Sequence, residues 1–478
     1  MKSMYLIIAS LILFSCSSTN KNEWQSLFDG QSLDGWKAAE NKASFRIEDG
    51  ALVCEGPRAH LFYSGDINNG IFKNFELKAE VMTTPGANSG IYFHTAFQEE
   101  GWPSQGYEVQ VNNSHKGVDD YVELKKTGSL YAIRNIFMQF VGDNEWFKLH
   151  FIVKGNRVKI FVNGVQTVDY VEPENAFRTE DYAGRLLSNG TFAIQCHDPE
   201  SKVLYKNIMI KPLPDDAAFE DMRPVYSDQY NNTVTDLHMK GFPLIDFHVH
   251  IKGDMTMDSA LQMMRYTGIN YGIAVNCGLD FPINTDEKLK SYIDENLESL
   301  PVFKAMQAEG REWVDIFSEE AINTFDYVFT DAMTYTEADG NRVHLWKPEE
   351  VHIDDKQKFM DMYVGYIVNI INNEPIDIYV NATFLPKIIA DQYDELWTEA
   401  RMDKVIDALV TNNVAFEISS RYEIPNLAFI KRAKNQGVKF SLGTNNSGMD
   451  ELRNKLDYCF KVMKEADLKT EDMYMPEQ

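Results

Sequence analysis

The spacing of apolar residues changes once along this chain, near residue 212, and no single sheet or helix bundle accommodates both patterns. Before the change the period is two. Phe75-Glu-Leu-Lys-Ala-Glu-Val-Met82 alternates apolar and polar residues, as a half-buried strand must, because successive side chains point to opposite faces. Apolar alternation over 147–153 and 158–162, with Gly155-Asn156 between them and Asn163-Gly164 after, reads as consecutive hairpins whose turns accept positive φ. Residues 90–95, 106–112, 191–196 and 203–210 supply further short strands. Helical signals are nearly absent, so residues 23–213 are expected to form a two-sheet sandwich or jelly roll.

Pro212, Pro214, Pro224 and the polar run Asp228-Gln-Tyr-Asn-Asn-Thr233 then mark a linker over 214–241. From Phe242 onward short apolar strands fall at 243–247, 271–277, 302–308, 325–331, 377–381, 414–419 and 438–443. Each is followed by a helical stretch such as 258–267 or 451–466. Seven such βα units predict a parallel, TIM-like (β/α)7 barrel over 242–478, with ligands at the carboxyl ends of its strands. The fold class is therefore β plus α/β.

The amino terminus has a different character. Lys2, a mostly apolar stretch from Leu6 to Phe14 and the ending Leu13-Phe14-Ser15-Cys16 read as a secretory signal over 1–15, too short for a permanent span. The ending resembles a bacterial lipobox. That resemblance implies a lipid on Cys16, a tether over 16–22, and, because Ser17 is not Asp, the outer membrane of a bacterial envelope. Past Cys16 no apolar run is long enough to span a bilayer. Acidic residues outnumber basic ones by 72 to 46, a net charge of −26, which repels phosphate and excludes nucleic acid as a partner. Five cysteines are too few for a disulfide scaffold. Cys54 with Cys196, and Cys277 with Cys459, pair off by region as disulfides or remain buried thiols.

Trp24-Gln-Ser-Leu-Phe-Asp-Gly-Gln-Ser-Leu-Asp-Gly-Trp36, Asn88-Ser-Gly-Ile-Tyr-Phe93, Gly106-Tyr-Glu-Val-Gln110, Thr127-Gly-Ser-Leu-Tyr131, Lys154-Gly-Asn-Arg-Val-Lys-Ile-Phe-Val-Asn-Gly164 and Ile194-Gln-Cys-His-Asp198 occur in that order. Together they resemble the 3-keto-disaccharide hydrolase family of concanavalin-like jelly rolls. Glu108 and Gln110 share one strand face because they are two apart, Gln195 and His197 repeat the arrangement, and Val109 turns to the other sheet. With Trp36 and Tyr131 nearby in the family pattern, these groups would bind sugar hydroxyls while an aromatic ring stacks on the sugar face. Alternating polar residues also fit a solvated outer face. His94 stands where family members often carry an arginine, which bears on substrate preference.

The activity implied by the resemblance is cleavage of 3-keto-glycosides. A C3 ketone acidifies the C2 hydrogen, a base removes it, the enolate expels the C1 substituent, and water adds back. Glu108 and His197 are the candidates for the base, and Gln110, Gln195 and Tyr131 the candidates for holding hydroxyls or the oxyanion.

Ile245-Asp-Phe-His-Val-His250 ends the first barrel strand and resembles the His-x-His entry of the polymerase-and-histidinol-phosphatase superfamily and of amidohydrolase barrels. Two imidazoles two residues apart on a strand end point the same way. Glu309 sits where such barrels often place a bridging carboxylate, so His248, His250 and Glu309 are the candidates for one divalent metal. Phe416-Glu-Ile-Ser-Ser-Arg421 and Phe440-Ser-Leu-Gly-Thr-Asn-Asn-Ser447 match later phrases of the superfamily. The late Asp and His of a full site are missing, however, where Thr444-Asn445-Asn446-Ser447 stands, and a metal-free barrel is the alternative. The leading reading is an envelope lipoprotein whose sandwich cleaves oxidised glycosides. A glycan-binding lipoprotein, and a barrel hydrolase with a carbohydrate-targeting sandwich, are the competitors.

Overall fold

The computed structural model describes residues 23–115, 122–221, 226–337, 340–452 and 456–477. The expected signal, tether and Cys16 lie outside them. Among the described residues no helix is long and apolar enough to cross a membrane.

Residues 25–212 fold as two antiparallel sheets. Eight strands make one sheet, in the order Val165–Val171, Arg157–Val162, Phe147–Lys154, Phe75–Thr83, Lys202–Pro212, Ala51–Glu55 and Phe45–Glu48, with Gln25–Ser26 added beside Lys202–Pro212. The other sheet runs Trp36–Glu40, Ala59–Tyr63, Thr191–Cys196, Asn88–Thr95 and Tyr107–Asn112. The alternation seen in Phe75–Thr83 is realised residue by residue: Phe75, Leu77, Ala79 and Val81 are buried between the sheets, against Ile91, Phe93, Val109 and Ile194 of the opposite one. The four cysteines of the folded chain are free and buried, so neither regional pair is bridged.

The second half is a closed parallel barrel of Ile245–His250, Asn270–Cys277, Phe303–Ala308, Tyr327–Thr330, Ile378–Tyr379, Ala415–Ser419 and Phe440–Gly443. Helices such as Met257–Thr267 and Glu399–Asn412 cover it, the first opened by a Thr256 cap and closed by Gly268 at positive φ.

The expected linker is partly a helix. Asp228–Met239 starts at Ser227, whose side chain accepts the Tyr230 N–H, and buries Asn231, Val234, Thr235 and His238, positions spaced to form one helical face. Its polar composition hid that face, because two of the four buried side chains are satisfied by the sandwich. Arg134 donates to Asn231 and Thr235 across the junction. Beside it Asn270 donates to the carbonyl of Asn135 at 2.8 Å, and Phe137 enters the apolar cluster of Ile245, Phe247, Phe303 and Tyr327 at the amino end of the barrel. A loop of the sandwich thus plugs one mouth of the barrel.

Candidate functional site

Strand register decides which side chains meet. Phe62, Ala193, Tyr92 and Glu108 form one cross-strand row of the five-stranded sheet, and His60, Gln195, Gly90 and Gln110 form the next. Both rows lie on the face turned away from the sandwich core, because Leu61, Ile91, Val109 and Ile194, one residue off, occupy the core. That outer face is nonetheless dry: Glu108, Gln110 and Gln195 are all buried. Loops over 96–105, 122–138 and 178–189 fold across it and enclose a cavity of about 540 Å³ lined by Glu108, Gln110, Tyr131, Gln195 and His197, together with Asn88, Tyr92, Trp102, Tyr182 and Arg185. This volume falls in the range of roughly 300–1,000 Å³ usual for small-molecule sites. The polar rows therefore face neither the core nor bulk water, but a roofed hollow.

On the floor, Gln195 Nε2 donates to Glu108 Oε1 at 2.9 Å and to the Tyr92 hydroxyl at 3.2 Å. Arg185 Nη2 stands 3.7 Å from Glu108 Oε2. Burial pushes the Glu108 carboxyl above the usual carboxylate range, and the Arg185 charge opposes that push. Gln110 Nε2 donates to Asn88 at 2.9 Å. Toward the rim, His197 Nδ1 lies 2.7 Å from Asp198 Oδ2, and Asp198, held also by Ser201, is lowered to about 2. It stays ionised at neutral pH and fixes the imidazole's orientation. The indole of Trp102 lies 5.2 Å from the His197 ring and is partly exposed toward the cavity, as a platform for a sugar face needs to be.

Two expected site residues lie elsewhere. Trp36 pairs with Tyr63, which belongs to the core row; its Nε1 donates to the Leu27 carbonyl and its ring packs edge-on to Tyr63. Strand parity puts it on the wrong face. His94 has φ 56 and is skipped in the pairing with Thr191–Phe192, so it is a bulge residue that leaves the alternation. Its ring packs on Phe75 and Phe93 and bonds the Lys73 carbonyl and the Ser188 amide. Of the lining groups absent from the sequence reading, Tyr92 was recoverable from its register with Glu108. Trp102, Tyr182 and Arg185 sit on loops without a periodic signal.

In the barrel, His248 and His250 do come together, with ring centroids 5.2 Å apart. His248 Nδ1 lies 2.7 Å from Glu417 Oε1, and the other oxygen of Glu417 accepts the Asn381 amide at 2.7 Å. The Gln307 amide nitrogen donates to Glu309 at 3.0 Å, and among the described residues His248 Nε2 and Gln307 Oε1 find no hydrogen-bond partner. Glu309 is itself occupied by Asn276 at 2.6 Å and Gln307. Among the described residues no three His, Cys, Asp or Glu side chains are placed to share a metal ion, so the structure brings the expected His248 and His250 together but does not gather His248, His250 and Glu309 as one set. Thr444 and Asn446 hold the first strand instead, through Asp246 and through both backbone groups of His250.

Residues 23–211 match the family model of the 3-keto-alpha-glucoside-1,2-lyase-like domain. Among solved structures, a Parabacteroides distasonis protein described as a glycosyl hydrolase is 24% identical, over 40% of this chain and 94% of its own, with a TM-score of 0.34. A carbohydrate-binding module from Bacillus subtilis is 12% identical, over 37% of this chain and 95% of its own, at a TM-score of 0.26. Histidinol phosphate phosphatase from Lactococcus lactis subsp. lactis, crystallised with zinc, L-histidinol and phosphate, is 15% identical over 47% of this chain and 94% of its own, at 0.35. No curated protein matches the chain.

Proposed function

Taking as premise that residues 23–211 match a 3-keto-alpha-glucoside-1,2-lyase-like domain, we propose that the sandwich cleaves 3-keto-glycosides by elimination and hydration. The observation that carries this reading is the convergence of Glu108, Gln110, Gln195 and His197 on one roofed cavity.

Glu108 takes the C2 proton. A desolvated carboxylate is a stronger base than one in water, and with Gln195 donating to Oε1, Oε2, 3.7 Å from Arg185, is the oxygen that takes the proton. The C2–H electron pair forms the C2–C3 double bond of an enolate while the carbonyl pair moves onto the C3 oxygen; as that pair returns to re-form the carbonyl, the C1–C2 double bond forms, the C1–O bond breaks, and the departing oxygen receives a proton. His197, oriented by Asp198, delivers it from the rim. Addition of water across the double bond completes a net hydrolysis. Gln110 and Asn88 bind hydroxyls, and Trp102 and Tyr131 enclose the ring. The barrel supports the sandwich in this reading. We further place the chain at the bacterial outer membrane through a lipid on Cys16, which a Cys16→Ser chain, released from the membrane fraction, would demonstrate.

The test is incubation of the mature chain, and of Glu108→Gln beside it, with a 3-keto-glucoside and its unoxidised parent. The keto sugar is expected to turn over with the wild type only, and the parent with neither. Tight binding of either sugar without turnover by the wild type makes the sandwich a glycan-binding module.

A further inference from the structure

Removing a proton next to a ketone puts negative charge on the carbonyl oxygen, and that oxygen needs a positive partner in the same site. Among the described residues lining the cavity, which include the acidic Glu123 and Asp181, Arg185 is the one with a permanent positive charge. It is only 7% exposed, in a chain of net charge −26, and burying a guanidinium is costly unless it is used. Its neighbours use it incompletely. Glu108 stands 3.7 Å away, the Gly106 carbonyl 3.5 Å from Nη1, and the Tyr92 ring 5.0 Å below, in an arrangement with five N–H donors to place.

The loop is built to deliver it. The Arg185 amide bonds the Tyr182 carbonyl at 2.9 Å, and its own carbonyl accepts from Arg178. Gly184 presses against the Ser104 carbonyl where a β-carbon would collide, and its carbonyl accepts the Gly106 amide at the start of the strand that carries Glu108. Base and guanidinium are thereby tied to one strand end. In the substrate the C2 hydrogen and the C3 oxygen sit on adjacent carbons, so a base and a donor one side chain's width apart reach both at once.

We infer that Arg185 is a catalytic residue of this site: its guanidinium binds the C3 carbonyl oxygen of a 3-keto sugar and carries the charge that develops there as Glu108 removes the C2 proton. The proton passes from C2 to Glu108, the C2–H pair becomes the enolate double bond, and Arg185 exchanges no proton. The inference rests on the lyase reading of the sandwich. It makes the electrophile a side chain of this protein and the substrate class an uncharged keto sugar.

The experiment is hydrogen–deuterium exchange at C2 of methyl 3-keto-α-glucoside in heavy water, followed by NMR, with wild type, Arg185→Gln and Arg185→Lys. Melting curves check that each is folded. Wild-type exchange is expected, with a loss of about 100- to 1,000-fold in Arg185→Gln, falling on kcat more than on KM, and a partial return in Arg185→Lys. Exchange by folded Arg185→Gln within about threefold of wild type overturns the role of Arg185 and leaves the lyase reading standing. If Arg185→Gln does not fold, Arg185→Lys decides: a drop of about tenfold or more supports the role and an unchanged rate overturns it. Where the wild type cleaves without exchange, the same comparison is read on the cleavage rate, and neither exchange nor cleavage by the wild type overturns both.

Discussion

The carboxylate of Glu108 lies across Gly90 of the neighbouring strand, in the space a β-carbon there would fill. Backbone φ at Gly90 is not in the left-handed region, so alanine is conformationally allowed and the conflict is one of volume alone. Gly90→Ala is expected to swing Glu108 off Gln195, to abolish turnover of a keto sugar, and to cost about 1–3 kcal/mol of stability. Melting curves and a rate assay on one preparation check it. A variant with full activity would mean that the observed Glu108 position is not the working one.

The pH profile follows from the same carboxylate. In the proposed elimination Glu108 acts as a base when ionised, so kcat/KM is expected to rise as pH passes upward through its pKa, which burial raises and Arg185 lowers. The rising limb is therefore expected above the usual carboxylate range, and Arg185→Gln moves it further up. A limb unmoved by that substitution argues against Glu108 as the titrating base.

Stability has two opposing pH slopes. Burial holds His60 near 3, His94 near 4 and His238 near 3, whereas in the unfolded chain they protonate near 6.5. Below pH 6.5 the unfolded state binds more protons, and each imidazole costs up to about 1.4 kcal/mol per pH unit on acidification. In the barrel, burial pushes Glu417 up to about 8 and Glu309 to about 7, from 4.5. Those groups keep their protons in the fold while the unfolded chain has lost them, so their contribution fades as pH rises toward 8. The melting temperature is expected to peak near pH 6. His60→Phe, at a site among Phe62, Tyr92 and Trp102, should gain on wild type as pH falls from 6.5 to 4, and Glu417→Gln as it rises from 5 to 8. Parallel curves for wild type and both variants would contradict these assignments.

The barrel gives a prediction about metals. Among the described residues no third His, Cys, Asp or Glu joins His248 and His250 as a metal-sharing set, so zinc and chelators are expected to leave the melting temperature unchanged. Gln307→Glu adds a carboxylate to that neighbourhood, and zinc at about 100 times its Kd should then stabilise the variant by about 2.7 kcal/mol. One equivalent of tightly held metal in wild type, lost in His248→Ala, would refute the assignment.

Much of this was legible from the chain alone, because alternation reports strand faces directly. The seven barrel strands and the pairing of Glu108 with Gln110, and of Gln195 with His197, came from spacing. Whether a polar face is wet or roofed depends on loops, which carry no period, so Trp102 and Arg185 were invisible and the cavity was undecided. His94 failed because a bulge resets the alternation without any glycine to announce it. Asp228–Met239 failed because its buried face is polar, satisfied by a domain distant in sequence.

The loop over 122–138 connects the two halves physically. At one end Tyr131 lines the cavity, and its amide bonds the Glu108 carbonyl at 2.9 Å; at the other, Phe137 is fully buried in the barrel mouth and its amide reaches Asn270. Few residues separate the two anchors, so movement of Phe137 is transmitted to the cavity wall. Phe137→Ala removes the plug and should destabilise the junction by about 3–5 kcal/mol, as large-to-small changes in packed cores do. It should also weaken sugar binding, although the residue lies outside the cavity. Phe137→Leu keeps most of the volume and is expected to retain binding. Calorimetric titration of a keto sugar into both variants, below their melting temperatures, separates the cases. If the alanine variant binds as wild type does, the barrel does not brace the cavity wall through this loop.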